Sequence, residues 1–467
     1  MNLPAWLSNA LPIFLLLVAI GVVLARLPKV DMGHSEAFKR RRVMNWVPLG
    51  MTYAFLYFGR YNLSAIVDKF EHAHLLTKLQ FGDIDGVGAI TYGVAFLLNG
   101  PLTDRFGGRK TLLIAAGGSA VMNVVMALAV GRAAEDPERF YSTLMFANAA
   151  NMYFQSFGAV SIVKVNAPWF HVRERGVLGG LFGILISLGL YFAYDWAKQL
   201  AEAFGLTAAF WVPAAVLAAC WVVAFTMIRD TPSKAGFEDF DTGDATSGDT
   251  EPAPVFDVVK RMLSQRAVLI IIAIEFCSGF LRQGVMKWYR LFAKATGDDH
   301  SFVYTNWGMV LCVAGILGGV FAGFISDHVF ESRRGPVAAV LYGGLLLGAL
   351  VAFMALGSPV LGWTMLFMSL CVIGVHGMLS GTASMDFGGT KSAGLVTGVI
   401  DGFVYLGTAS QAFLYGHLLP DSRSLAAHQP TAWKIWPGAM IVMALIGVGL
   451  CSRVWNARPK PRSAAAH

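Results

Sequence analysis

Residues 100–110 read GPLTDRFGGRK, and residues 323–335 read GFISDHVFESRRG. Each stretch closes an apolar run, and each places an aspartate four residues after a glycine, with basic residues following. Arg60 precedes the first aspartate, Asp104, by 44 residues; Arg282 precedes the second, Asp327, by 45. Further along, Gly180 in ERGVLGG and Gly398 in SAGLVTG are 218 residues apart, close to the 222 that separate the two arginines. Matching landmarks at a near-constant offset read as a duplicated unit.

What is duplicated follows from the apolar runs around these landmarks. Of 467 residues, 56% are hydrophobic and 14% charged, with a mean hydropathy of +0.58. A soluble chain carries roughly 25% charged residues, so this one lacks the charge to coat a water-facing surface. The apolar runs are about 17–25 residues long, the length that crosses a ~30 Å hydrocarbon core as a helix. A transmembrane barrel would instead show alternating segments of about ten residues. Thirteen runs are present. The first, 11–27, has no basic residue before it and no small-residue cleavage site after it, so it reads as a retained helix. Twelve follow, near 44–66, 85–103, 110–131, 141–168, 176–198, 206–228, 266–290, 302–326, 336–356, 361–384, 392–418 and 434–453. The long polar interruption at 229–261 contains GFEDFDTGDATSGDTEPAP, acidic and apolar-poor as a flexible linker is. The expected fold is an all-α polytopic membrane protein with two six-helix bundles related by a pseudo-twofold axis, plus one extra N-terminal transmembrane helix. The expected units are 1–38 (extra helix), 39–230 (first bundle), 231–261 (linker) and 262–467 (second bundle and basic tail).

The net charge of +7 needs no nucleic acid to explain it. With the KRRR run at 39–42 in the cytoplasm and one crossing per run, 23 basic residues fall on the cytoplasmic side and nine on the other. That is the positive-inside pattern, with the C-terminus cytoplasmic and the N-terminus outside. The remaining four, Arg60, Lys164, Arg282 and Lys287, lie within spans. Cys220, Cys277, Cys312, Cys371 and Cys451 all fall in apolar runs without a CxxC and read as packing residues. No GxSxG, HExxH, Walker A or zinc spacing occurs, so neither an enzyme nor a cofactor is indicated.

A charged side chain within a span costs about 2.5–3.5 kcal/mol on insertion scales, which makes each one a functional candidate. Arg60 lies about sixteen residues in from the cytoplasmic end, too deep to snorkel easily. Tyr53, Tyr57, Arg60, Tyr61 and Ser64 recur at helical spacing as one polar stripe. Arg282 is equally deep and matches Arg60 by repeat position, so the two should meet across a central cavity. Two guanidiniums facing one another suit a dianion between them, since their forks match phosphate oxygens; a carboxylate fits as well. Glu275, two turns before Arg282, is either its counter-ion or a proton-coupling carboxyl. Lys164 lies near the cytoplasmic end, where snorkelling is the better reading. Lys287 either lines the cavity or snorkels. His376 reads as a packing histidine before a proton relay, and Asp401, with Tyr405 one turn on, reads as cavity-facing. The loops with Gly100, Gly107, Gly108, Asp104, Arg105, Arg109, Lys110 and Asp327 read as a cytoplasmic latch that holds one access state.

GPLTDRFGGRK resembles the cytoplasmic signature loop of the major facilitator superfamily, and GFISDHVF echoes it. From about Tyr53 to Gly407 the chain resembles the organophosphate:phosphate antiporters. The resemblance rests on YFGRYN, QSFG…WF…ERG, MIRDTPSKAG, Arg282, GFISDHVFESRRG and MDFGGTKSAG…IDGFVYLG. It implies rocker-switch exchange of inorganic phosphate for an organic phosphate. Its phosphate-binding arginines fall on Arg60 and Arg282, its cavity tyrosines on Tyr53, Tyr57, Tyr92 and Tyr405, and a basic position on Lys164. The glycerol-phosphate and hexose-phosphate members place a lysine after the first arginine, where this chain has Tyr61. A second lysine becomes Phe96, a histidine Ile186 and an acid Cys312. The site is thus more apolar, which suits a larger or more lipophilic phosphorylated substrate, or a different anion.

The expected function is a secondary transporter of a phosphorylated organic anion, exchanging inorganic phosphate, working as a monomer in the bacterial inner membrane. A membrane sensor of sugar phosphate and a proton-coupled permease for a non-phosphate anion are the alternatives. The N-terminal helix is a candidate contact for a partner protein or for membrane lipid.

Overall fold

The computed structural model describes residues 33–171, 175–242, 263–330, 334–379, 384–421 and 424–455, together with Phe14, Val18, Gly21 and Lys260 singly. Apart from those single residues, the first apolar run and the interruption from 243 to 261 lie outside the described residues, as do the Asp327 and Lys391 side chains. Among the described residues all regular structure is helical. This is the expected answer in lipid, where a helix satisfies its own backbone hydrogen bonds.

Twelve long helices follow the twelve later apolar runs: α1 Glu36–Ala65, α2 Lys78–Phe106, α3 Gly108–Gly131, α4 Pro137–Asn166, α5 Arg175–Tyr191 and α6 Ala208–Met227. The second half supplies α7 Arg266–Thr296, α8 Trp307–Val329, α9 Arg334–Met354, α10 Val360–Met378, α11 Ser384–Leu418 and α12 Ile435–Arg453. Seven of them (α2, α3, α6, α7, α9, α10 and α12) are long and apolar enough to span a membrane by composition alone. α1 and α4 are more polar because Asn62, Arg60, Asn151 and Gln155 are buried on their inner faces.

The starts are set by local chemistry. Ser35 accepts from the Phe38 N–H at 3.3 Å, so α1 begins well before the apolar run and the KRRR segment is helical. Arg41 there donates to the Met227 carbonyl at 2.8 Å, fastening the end of α6 to α1. Thr77 and Gln80 form a capping box at the start of α2. Between α2 and α3, Gly107 has φ +89, ψ 148, a conformation only glycine adopts freely.

The packing repeats. α1 packs on α5 and α6, α2 on α4, and α3 on α4 and α6; in the second half α7 packs on α11 and α12, α8 on α10, and α9 on α10 and α12. Two seams join the halves, α2 against α11 and α5 against α8. Along the first, a Cβ on Gly82 would lie 2.7 Å from the Ala412 carbonyl oxygen, and one on Gly93 would lie 2.9 Å from that of Gly402. The backbones touch there because no side chain intervenes. At Gly100, about two turns further on, an added Cβ meets nothing within 4 Å among the described residues. The second seam behaves alike: added Cβ atoms would crowd Asp195 at Gly308 and Ser187 at Gly315, while at Gly319 and Gly183 they meet nothing. Among the described residues the halves approach most closely toward the Asp68 end.

Candidate functional site

Arg60, in the last third of α1, is 4% exposed. Its Nε and Nη2 donate to Gln155 Oε1 at 3.2 and 3.1 Å, and its Nη1 donates to the Tyr405 hydroxyl at 3.3 Å. The guanidinium is sandwiched by the rings of Tyr57 and Tyr92, 4.6 and 4.7 Å from their centroids. Gln155 is fixed in turn, its Nε2 donating to the Leu56 carbonyl and to Ser119 Oγ at 2.9 and 2.7 Å. Ser119 donates to Asn151, and Asn151 and Asn123 both donate to the Gly59 carbonyl. Such a chain of satisfied bonds locks the arginine in one orientation.

Arg282 differs. It is half-buried, its Nε is enclosed without an acceptor, and it donates no hydrogen bond among the described residues. Tyr57, Tyr61 and Tyr405 lie in the electrostatic reach of both guanidiniums, so the two arginines do share one site. Tyr53 packs edge-on against Tyr57, and Tyr92 stacks on Tyr405 at 4.0 Å with Phe96 beside it. Phe96 thus adds to an aromatic wall. Ile186 and Cys312 likewise sit in apolar packing.

Glu275 is fully buried and its Oε2 lies 3.1 Å from His376 Nδ1, so its hydrogen bond goes to the histidine and not to Arg282. Asp401, half-buried on α11, acts electrostatically on His376. Lys287 neither snorkels nor lines an open cavity: it is enclosed, ion-paired with Asp85 of α2, and 5.6 Å from the Tyr61 ring. Lys164 does not join the arginines. Its ammonium is 2.6 Å from Asp104 Oδ1 in an exposed pair at the far end of the bundle, because its place one turn from the end of α4 puts it beside the end of α2.

The signature loop is held within its own half. Asp230 of MIRDTPSKAG accepts from the Arg109 N–H at 2.7 Å, and the Arg109 side chain donates to the Phe225 carbonyl. Gly108 abuts Val165 and Ser161 of α4, whereas Gly100 makes no close approach. Arg105 and Lys110 are exposed.

The closed end holds residues the sequence reading missed. On α7, Gln283, Lys287 and Arg290 recur at helical spacing and face the first half. Gln283 donates to the Tyr61 hydroxyl at 3.1 Å, Lys287 to Asp85, and Arg290 to Asp68 Oδ2 at 3.4 Å. Tyr304 donates to the same Asp68 oxygen at 2.8 Å. Arg290 and Lys78, counted from sequence among the residues outside the spans, are each 1% exposed. On the other seam, five residues of wider π-helical turn, Phe192–Trp196, carry Asp195 to the start of α8. Its carboxylate accepts from the Gly308 and Met309 N–H groups at 2.8 and 2.9 Å, where helix-end donors are otherwise unpaired. Beyond this seal lies a pocket of about 510 Å³ whose lining includes Asp68, Lys69, Lys198, Asp299 and Tyr304. A carboxylate inside an apolar run, as Asp85 is, was the available signal.

Comparison with known proteins agrees with the fold and the motifs. The family model described as Major Facilitator Superfamily matches residues 49–412. The glycerol-3-phosphate transporter of Bacillus subtilis is 24% identical over 405 residues, covering 82% of this chain and 87% of its own. The membrane sensor protein UhpC of Salmonella typhimurium is 25% identical over 406 residues, covering 82% and 86%. Among solved structures, a bacterial homologue of the human lysosomal transporter Spinster, inward-facing and unoccupied, superposes with a TM-score of 0.70 at 12% identity. That match covers 90% of this chain and 98% of the other.

Proposed function

The chain belongs to the major facilitator superfamily, and from that premise we propose that it carries a phosphorylated organic anion across the membrane in exchange for inorganic phosphate. One observation carries the reading. Two arginines at repeat-equivalent positions share a tyrosine-walled site, and one of them, Arg282, has no hydrogen-bond partner among the described residues. A cation placed there without an acceptor is costly in a low dielectric; a dianion accepting from both guanidiniums offsets that cost. Arg60, already held by Gln155 and Tyr405, supplies a fixed fork, and Arg282 the one without an acceptor among the described residues. The aromatic wall of Tyr57, Tyr92, Phe96 and Tyr405 favours an apolar or ring-bearing organic portion over a small hydroxylated one. The names of the relatives at about a quarter identity point to the same substrate class.

Access is by rocking one six-helix half against the other. The Asp104 end faces the cytoplasm, as the distribution of basic residues requires, and the Asp68 end is the closed outer side. Transport is of a single chain in a bacterial plasma membrane.

Purified protein in liposomes loaded with unlabelled phosphate should accumulate labelled phosphate by counterflow. Arg60→Lys and Arg282→Lys should each abolish this while the protein stays folded, because a point charge does not reproduce a bidentate fork. Undiminished exchange in both variants defeats the two-arginine site. The sensor reading is favoured by the lost auxiliary donors and the sensor relative; it predicts phosphate or sugar-phosphate binding with no flux.

A further inference from the structure

We propose that Glu275 and His376 form a proton site linked to the anion site through Arg282, so that an anion binding at Arg282 draws about one proton onto the pair. The inference rests on the phosphate reading above and extends it.

The geometry is unusual for a packing pair. Glu275 is 0% exposed, yet its Oε1 has no hydrogen-bond partner among the described residues and its Oε2 faces His376 Nδ1 at 3.1 Å. His376 is 25% exposed, so it is the member in contact with water. The surroundings are sparse in charge. On α7 itself stand Ser278, Cys277 and, two turns on, Arg282. From α9 comes Tyr342, whose hydroxyl is committed to the Ile274 carbonyl at 2.6 Å. From α12 comes the Cys451 thiol, and from α11 comes Asp401, which acts on His376. Arg282 is the one described cation in electrostatic reach of Glu275.

Two anions therefore compete for a single guanidinium. In alkaline medium the empty site holds Glu275 ionised, with Arg282 as its compensating charge. Once a dianion occupies Arg282, the buried carboxylate is left uncompensated, a situation that costs several kcal/mol. Protonation relieves it. The proton comes from water by way of His376, and the pair goes from a net charge of −1 to 0. It does so whether the carboxylic acid donates to Nδ1 or an imidazolium donates to the carboxylate. No covalent bond to the substrate changes. Linkage is reciprocal, so a proton on the pair also strengthens anion binding by the same factor.

Titration calorimetry of inorganic phosphate into the full-length purified protein tests this, run at about pH 9, where the empty pair is ionised and phosphate is a dianion, in buffers of differing ionisation enthalpy. The slope of apparent heat against buffer enthalpy counts protons taken up. Phosphate's own titration contributes equally to every variant, so differences isolate the pair. Wild type should take up about one more proton per phosphate than Glu275→Gln. His376→Leu, which deprives the carboxylate of its donor and protonates it in advance, should fall to the same lower count. Equal uptake in wild type and either variant that binds phosphate overturns the proton site and leaves the anion reading standing. Absence of phosphate binding by the wild type overturns both.

Discussion

Replacing Asp85 with asparagine should open the closed end. The side chains of Asp85 and Lys287 are 11% and 4% exposed, and they join α2 to α7 across the two halves. Removing the carboxylate charge leaves an ammonium enclosed, which in buried pairs costs about 3–5 kcal/mol. The Tyr61 ring, 5.6 Å from Nζ, returns about 1 kcal/mol of that. The remaining ~2–4 kcal/mol applies only while α2 and α7 are together. When they part, water reaches the ammonium and the penalty vanishes. The equilibrium should thus move toward the state open at the Asp68 end by about 30- to 700-fold, at 1.4 kcal/mol per decade. Spin labels at Lys69 and Asp299, which line the same pocket from opposite halves, report this by electron double-resonance distances. Wild type should give a single short distance, and Asp85→Asn a second, longer population. The double variant Asp85→Asn, Lys287→Met should return toward the short distance, since it leaves no unpaired charge. A folded Asp85→Asn protein with the wild-type distance distribution refutes the reasoning.

Other substitutions separate further contributions. Gln155→Leu removes the acceptor that holds two Arg60 donors, so phosphate binding should weaken by about 1.5–3 kcal/mol, a ten- to hundredfold rise in Kd measured by calorimetry. Asp195→Ala frees the Gly308 and Met309 amides, whose hydrogen exchange should accelerate at least tenfold while exchange in α9 is unchanged. Asp104→Asn breaks an ion pair whose side chains are 44% and 64% exposed, so thermal stability should change by less than about 1 kcal/mol, in contrast to Asp85→Asn.

The elements were legible because hydropathy and length suffice for a membrane helix, and twelve described helices follow the twelve later apolar runs. Arg60 and Arg282 were legible for the same reason: a guanidinium amid apolar residues stands out. Gln155 was not, although it lies in a quoted motif, since a neutral amide raises no flag until its partner is known. The pairs Asp85–Lys287 and Asp68–Arg290 join residues more than 200 positions apart, and a one-dimensional pattern carries no sign of which acid meets which base. Arg290 and Lys78 went astray because hydropathy places span ends where the chain turns polar, while α7 and α2 extend further and bury those charges against the opposite half. Lys164 was placed with the arginines only by family resemblance, and its short distance from the end of α4 already favoured the helix terminus.

The two seams between the halves are made of unlike material. Along α2 and α11 glycine meets backbone, so separation there gives up chiefly dispersion contacts and, at the end of the seam, the Lys78 bond to the Pro420 carbonyl, while helical hydrogen bonds stay intact. Along α5 and α8 a carboxylate must release two amides, and the released groups need water at the moment of parting. The first seam is therefore a low-friction bearing, and the second a hydration-dependent catch. The rate of opening should accordingly follow water activity: an excluded osmolyte that dehydrates the Asp195 seam slows the cycle without altering how tightly the anion is held.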